Sequence, residues 1–400
     1  MKLYIIILIT CFAAVSYAQD QWVLKDSIKG APRSVASSFA LNGKGYTVAG
    51  YSEGGFRRKM HTYTFWQDDW DSSISLGGIN GDGMSRGSAS SFAIYEKGYV
   101  CLGQGETNPF FKDLWQFDPE TNTWSQKADF IGSARRQAIA FAIDSFAYVG
   151  TGVDINGLCK DMFKYNTNTN TWTQINDFGG TARKEAVGFA MGAQGYVGTG
   201  DDGVKRKDFW QYQTASDTWI QKTDFPGTPR KGAVGWGIFP SGFICTGEDI
   251  NFNYMKDLWE YNYYTDTWDQ KADYIGEGRS NAFVFVIQEL AFVGSGYNGV
   301  LFDDVYAYRR VLGNDELDQY SDINMYPNPT HSDFHIDVDP KDLNVEIYTI
   351  DGKQLTKSIE VNKTMHGFSI NQGQLASGNY LIRLLHTSGL NVFQSKLLVL

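Results

Sequence analysis

The chain of 400 residues is 42% hydrophobic and 15% aromatic with only 20% charged residues, which supplies real cores and excludes a disordered polymer. Glycine is abundant at 43 residues and proline scarce at 9, a mix that suits many short strands joined by tight turns and does not suit long helices. A formal net charge of −10 argues against nucleic-acid binding, which needs a basic face to displace phosphate counterions.

The first residues, MKLYIIILITCFAAVSYAQD, place one lysine before an apolar run and small residues at Ser16 and Ala18. This predicts a secretory signal peptide over residues 1–18, cleaved after Ala18 and too short to span a membrane comfortably. Acylation at Cys11 is disfavoured because Thr10 is larger than the residue a lipoprotein signal places there. No later segment is apolar enough to cross a bilayer, so the expectation is a soluble, exported chain. Its remaining cysteines, Cys101, Cys159 and Cys245, are odd in number, which argues against a disulfide framework.

From residue 19 to 310 the chain repeats itself. FDPETNTWSQ, KYNTNTNTWTQ, YQTASDTWIQ and YNYYTDTWDQ end on Trp124, Trp172, Trp219 and Trp268, at separations of 48, 47 and 49 residues. Periods in this range mean repeat architecture. Six arginines follow in phase: Arg33, Arg86, Arg135, Arg183, Arg230 and Arg279. Three columns keep register with them: an aromatic residue (Phe39, Phe92, Phe141, Phe189, Trp236, Phe285), then Tyr46, Tyr99, Tyr148, Tyr196, Phe243 and Phe292, then Gly50, Gly103, Gly152, Gly200, Gly247 and Gly296.

Each unit reads as four strands. Runs such as AIAFAID and FAYVGTG predict two short apolar strands around a tight turn. KDLWQF, KDMFKY, KDFWQY and KDLWEY predict a half-buried third strand by their alternation. The fourth begins at the tryptophan, always 11 residues beyond Asp113, Asp161, Asp208 or Asp257. The polar NTNTNT run is therefore turn chemistry, with Asn and Thr bonding locally to the backbone. Such a sheet cannot bury both faces alone, and radial stacking into a six-bladed β-propeller solves this. The sixth unit stops at Tyr308 without a tryptophan strand, while Trp22 precedes Arg33 by 11 residues. The N-terminal strand QWVLK is expected to complete the last blade and so remove the exposed edges.

The order of arginine, aromatic, tyrosine, glycine, acidic residue and NTW resembles the kelch repeat. One departure stands out: the first member of the kelch glycine pair is here Ala49, Leu102, Thr151, Thr199, Thr246 or Ser295.

A polar stretch at 311–322 reads as a linker, and residues 323–400 as short strands separated by DGK, ASGN and SG turns, a small β-sandwich. YPNP at 326–329, IYTIDGKQL, LASGNYLIRL and the terminal KLLVL resemble the C-terminal sorting domain of the type IX secretion system of Bacteroidetes. The resemblance implies that residues 323–400 engage that machinery and deliver the protein to the outer-membrane surface or the extracellular space. It says nothing about activity.

Chemistry is sparse. His61 is the one histidine of the repeat region and holds the place of Asp113 or Asp161, so a structural role is expected and a histidine-liganded copper site of the galactose oxidase type is excluded. Cys101 and Cys245 are equivalent positions three units apart and cannot chelate together; no metal or cofactor is expected. The phased arginines could form a cationic ring, but the kelch resemblance implies that they brace strands and loops through the phased aspartates. Asp154 with Asn156, and Asp249 with Asn251, offer oxygens for calcium, although turn chemistry accounts for them. No catalytic residues can be assigned. In several kelch binders the residues just after the arginine line the pocket, which here points to Arg136, Gln137, Lys184, Glu185, Lys231 and Asn281, with Ser34 and Ser280 beside them. That polar set with a cationic bias would suit an anionic or polyhydroxylated ligand. The function expected is a secreted or surface-bound binding module for an unknown protein or glycan. The alternative is a carbohydrate-active enzyme, since six-bladed kelch propellers that interconvert sialic acid anomers exist.

Overall fold

The computed structural model describes residues 21–65, 67–77 and 84–310, and the parts of 324–399 named below. The expected leader and linker lie outside the described residues.

The described chain is all β. Between Gln21 and Arg309 it forms six four-stranded antiparallel sheets. Their first strands are Ser37–Leu41, Ser90–Ile94, Ile139–Ile143, Val187–Met191, Val234–Ile238 and Phe283–Ile287. In each of these, alternate side chains are buried, as a two-residue period demands. The strands lie side by side in a closed cycle, the last against the first. In the first sheet the hairpin turn is Asn42-Gly43, with φ of 50° and 72°; two residues that accept positive φ are what so tight a hairpin needs.

The two aromatic columns meet across this hairpin. Phe39 faces Tyr46 in register, and the pair stacks with centroids 5.3 Å apart. The same stacked pair recurs in the other five sheets at 4.9 to 5.8 Å. A Cβ on Gly98 would lie 2.2 Å from the Phe39 ring of the neighbouring sheet, so glycine there is what lets the aromatic pack between sheets. The outermost strands are largely exposed apart from the tryptophan. Trp172 is buried, and its indole N–H donates to the Ala128 carbonyl of the preceding unit at 2.9 Å. Asn170, at the end of the NTNTNT turn, accepts from the Tyr165 hydroxyl and from the Ala128 N–H. The polar turn is thus also a clasp between sheets.

The sixth sheet is completed by the N-terminal strand Gln21–Lys25, antiparallel to Val305–Arg309, with Trp22 opposite Tyr308. The strand expected from the interval between Trp22 and Arg33 is where the spacing put it.

The phased arginines are the junctions of this array. Five are at most 1% exposed, and each guanidinium forks onto the expected aspartate. In Arg86–Asp113, Arg135–Asp161, Arg183–Asp208 and Arg230–Asp257 the contacts are 2.5 to 2.8 Å; Arg279 pairs Asp304 in the same way. Bidentate geometry matters because a buried charge is tolerated only when its partner and hydrogen bonds replace lost water. Where the sequence places an aromatic five residues earlier, its ring lies near the guanidinium, as with Phe178 5.0 Å from Arg183. The arginine backbone does a second job: its carbonyl accepts the N–H of the preceding unit's phased glycine, six times in a closed cycle that ends with Gly296 donating to Arg33 at 2.8 Å.

The missing first kelch glycine has a local explanation. Ala49, Leu102, Thr151, Thr199, Thr246 and Ser295 keep the left-handed backbone at φ of 54 to 63°, at roughly 1 kcal/mol each for an L residue. In return their carbonyls are aimed at the guanidinium, accepting from Nη1 at 2.9 to 3.3 Å.

Within 324–399, strands Asn324–Tyr326, Phe334–Asp337, Gly367–Ile370 and Val361–Thr364 form one sheet and Leu343–Thr349, Gly378–His386 and Asn391–Val399 another. Phe334, Ile347, Phe368, Ile382 and Leu397 belong to one buried cluster shared by both.

Two expectations follow. Asp257→Ala leaves Arg230 buried and charged without its carboxylate, so urea unfolding should show a loss of about 3 kcal/mol. Burial, with Arg33 and Lys59 nearby, pushes His61 down to about 4. The unfolded chain therefore takes up this proton near its ordinary 6.5 while the folded chain refuses it, so stability present above pH 6.5 declines toward pH 4, by about 3 kcal/mol in all. In His61→Asn that portion of the pH dependence of the melting temperature should vanish.

Candidate functional site

Two residues past each arginine the chain turns through a left-handed residue: Val35, Ser88, Gln137, Glu185, Gly232 and Asn281, at φ of 49 to 60°. Each donates its N–H to the carbonyl of its neighbour in the adjoining unit: 88 to 35, 137 to 88, 185 to 137, 232 to 185, 281 to 232 and 35 to 281, at 2.7 to 3.2 Å. The cycle closes. It gathers residues almost 250 positions apart in sequence around one axis, at the N-terminal ends of the inner strands. Gly232 is needed where it stands, because besides its positive φ a Cβ would meet the Asn281 amide at 3.2 Å.

Gln137, Glu185 and Asn281 of the expected set are therefore members of this ring, and Arg136, Lys184 and Lys231 immediately precede members of it. All six are partly exposed. The Arg136 guanidinium lies over Phe110 at 5.7 Å. Lys231 is 3.1 Å from Glu185 and 3.9 Å from Glu248. Burial opposes its charge, but Glu185, Glu248 and Asp201 more than offset this and hold the ammonium above its ordinary value. Asn281 reaches the Ser280 hydroxyl at 3.4 Å.

A second row of residues was not foreseen. The position after each arginine pairs by backbone with the residue after the phased glycine: Ser34 with Tyr51, Gly87 with Gln104, Arg136 with Val153, Lys184 with Asp201, Lys231 with Glu248 and Ser280 with Tyr297. This row adds Asp201, Glu248 and two tyrosines beside the first. Tyr297 is exposed and meets Tyr254 edge to face at 6.4 Å, while Lys205 pairs with Asp201 at 2.8 Å. Burial raises the Asp201 carboxyl, but Lys205, the Gly203 N–H and Lys184 together hold it below its ordinary range. The cationic bias of the first row is thus offset by acids in the second. The signal was available: the second row is one residue past a column already in register.

The other candidates resolve simply. The phased arginines are all buried, and five of the six are paired with aspartate, so they form no cationic ring. Asp154 Oδ1 accepts from the N–H groups of Asn156 and Gly157 at 2.7 and 3.0 Å, and Asp249 from Asn251 and Asn253 at 2.8 Å; both are turns closing on themselves. Cys101 and Cys245 are buried free thiols whose surroundings push them well above the usual thiol range, and Cys159 is pushed up to about 11 by partial burial. His61 is buried, with Nε2 3.1 Å from Arg33 Nη2. A guanidinium only donates, so Nε2 accepts and the neutral ring carries its proton on Nδ1. Among the described residues no cluster of three or more His, Cys, Asp or Glu could hold a metal.

A cavity of about 1130 Å³ lies at the opposite end of the inner strands, between hairpin turns at Asn42, Tyr95 and Gln288 and the tail residues Tyr348 and Arg383. None of the six expected residues reaches it. Arg383 contacts Glu289 there at 3.3 Å, so this space is the junction of the array with the tail.

Residues 324–399 match the family of secretion system C-terminal sorting domains. That match supports export by the type IX route to the cell surface or extracellular space. No curated protein matches the sequence. Among solved structures the chain is similar to one titled "Structure of YjhT", at 14% identity and a TM-score of 0.59, over 72% of this chain and 99% of that one. At that identity the likeness is one of fold: an all-β, propeller-like array. Among the described residues no helix is long and apolar enough to cross a membrane.

Proposed function

We propose that this protein is an exported, six-bladed kelch-like β-propeller over residues 19–310, preceded by a cleaved leader at 1–18 and joined by a linker at 311–322 to a sorting β-sandwich at 323–400, and that it binds an acidic, polyhydroxylated sugar. One observation carries the reading: the closed cycle of left-handed residues brings Arg136, Gln137, Lys184, Glu185, Lys231 and Asn281 to one mouth, flanked by exposed tyrosine. Cations there meet a carboxylate, amides and Glu185 meet hydroxyls, and a tyrosine face meets the apolar side of a sugar ring. The tail supplies the address and the mouth supplies recognition.

A second reading is favoured by the Glu185–Lys231 pair at 3.1 Å. Interconversion of sugar anomers needs a base for the anomeric hydroxyl proton and an acid for the ring oxygen, with no net proton change and no cofactor. A carboxylate and an ammonium side by side are such a pair.

Thermal-shift titration of the purified chain with sialic acid, glucuronic acid and glucose tests both readings by mass action. The acidic sugars should raise the melting temperature saturably, and Arg136→Ala and Glu185→Gln should weaken that binding at least tenfold with unchanged circular dichroism. No shift with any sugar would overturn the binding reading. Magnetisation exchange between the anomers of a sugar that binds then separates the two: acceleration that is lost in Glu185→Gln supports catalysis, and an unchanged rate supports binding alone. Deleting residues 323–400 should leave the array folded and retain it behind the outer membrane; undiminished export would sink the sorting role.

A further inference from the structure

The first unit breaks the rule that the other five obey. Arg33 is 3% exposed, yet no carboxylate fills its fork. Its Nε and Nη1 reach the carbonyls of Ala31 and Ala49 at 3.2 and 3.3 Å, and Nη2 reaches the neutral ring of His61. The aromatic found beside Arg135, Arg183, Arg230 and Arg279 is also missing, since Ile28 holds that place. A buried guanidinium with only neutral partners has lost its water and gained no counter-charge, which is costly.

Beside it lies a cavity of about 510 Å³ whose walls include Arg33, Arg57, Arg58, Lys59 and His61. Ser72 and Ser85 offer hydroxyls, and among the described residues no Asp or Glu lines it. Among the described residues none of Arg33, Arg57, Arg58 and Lys59 makes an ion pair. The arrangement is more than a loose surface cluster, because its floor is built: at Gly30, with φ of 105°, an added Cβ would lie 3.2 Å from Arg33 Nη2 and 3.4 Å from the His61 ring, so the chain there leaves these groups room only because it carries no side chain. His61 supplies an independent sign of a missing ligand. Its Nδ1 is buried and has no hydrogen-bond partner, and with Nε2 accepting from Arg33 that atom carries a proton in want of an acceptor.

We propose that this cavity is an anion site, separate from the mouth, that takes a sulfate or phosphate group in the position the other units give to aspartate. Four cationic side chains, with no acid among the described lining residues, call for more than a single negative charge, so a tetrahedral dianion fits better than a carboxylate. Its oxygens would complete the Arg33 fork from below, while Arg57, Arg58 and Lys59 close around the outer face. Placing the charge in the ligand rather than in the chain makes the stability of the first unit, and with it the closure of the ring at Gly296 and Arg33, depend on the anion.

The test is calorimetric titration of the full chain at pH 7.5 with sodium sulfate, inorganic phosphate, glucose 6-phosphate and acetate, with ionic strength held constant by chloride. Sulfate or phosphate should bind once, saturably, and acetate at least tenfold more weakly. Affinity for inorganic phosphate equal to or above that for the phosphorylated sugar identifies the free ion as ligand; tighter binding of the sugar identifies the ester. His61→Asp, which supplies the missing internal carboxylate, should abolish binding and raise the melting temperature in sulfate- and phosphate-free buffer. The exposed double variant Arg58→Ala/Lys59→Ala should weaken binding tenfold or more with the melting temperature in that buffer unchanged. Absence of saturable binding by either dianion overturns the proposal. So does binding that survives undiminished in both variants.

Discussion

The structure depends on a buried arginine used as a corner post. Its guanidinium gathers its own unit, through the aspartate just before the third strand and the carbonyl of a left-handed residue at the end of the second. Its backbone carbonyl takes the glycine N–H of the unit before it. One residue thus ties strand to loop within a sheet and sheet to sheet across the array. The conformational cost of the left-handed residue is accepted because it aims that carbonyl where a charged donor needs it.

The same corner explains why the mouth has its composition. Once the arginine is fixed, the next residue must pair with the one following the phased glycine, and the residue after that must turn left-handed to meet its neighbour around the axis. Ser34, Gly87 and Ser280 are buried at the first of these positions, but Arg136, Lys184 and Lys231 are partly exposed there, so side-chain chemistry varies from unit to unit. Lys231 between Glu185 and Glu248, and Lys184 beside Asp201, are what this chain has placed on a frame that would support many other choices. Stability is stored in the arginine layer, and the variable side chains lie in the two rows beside it.

The first unit shows what the arginine layer needs by lacking it. With His61 in place of aspartate the charge on Arg33 is left uncompensated, and the flanking Arg57, Arg58 and Lys59 deepen the positive field around it. The first unit is also the one next to the closing seam, where the N-terminal strand meets the sixth sheet. Closure therefore rests on one corner that differs electrostatically from the other five.

Much was legible beforehand, because local periodicity and covalent spacing are written directly in the chain. The strands, the Asp-to-Trp interval, the aromatic columns and the strand that completes the sixth sheet follow from positions in register, and the pairing of arginine with phased aspartate was implied by the resemblance to the kelch repeat. The tertiary structure decided what spacing cannot carry. It set the closed cycle of left-handed residues, since φ at Gln137 or Glu185 has no sequence signature. It brought in the second row at Asp201, Glu248 and Tyr297, whose acids offset the cationic bias read from the first row alone. And it revealed the unfilled fork of Arg33, because the absence of a partner is a fact about distances, and those exist only once residues far apart in sequence have been folded to the same place.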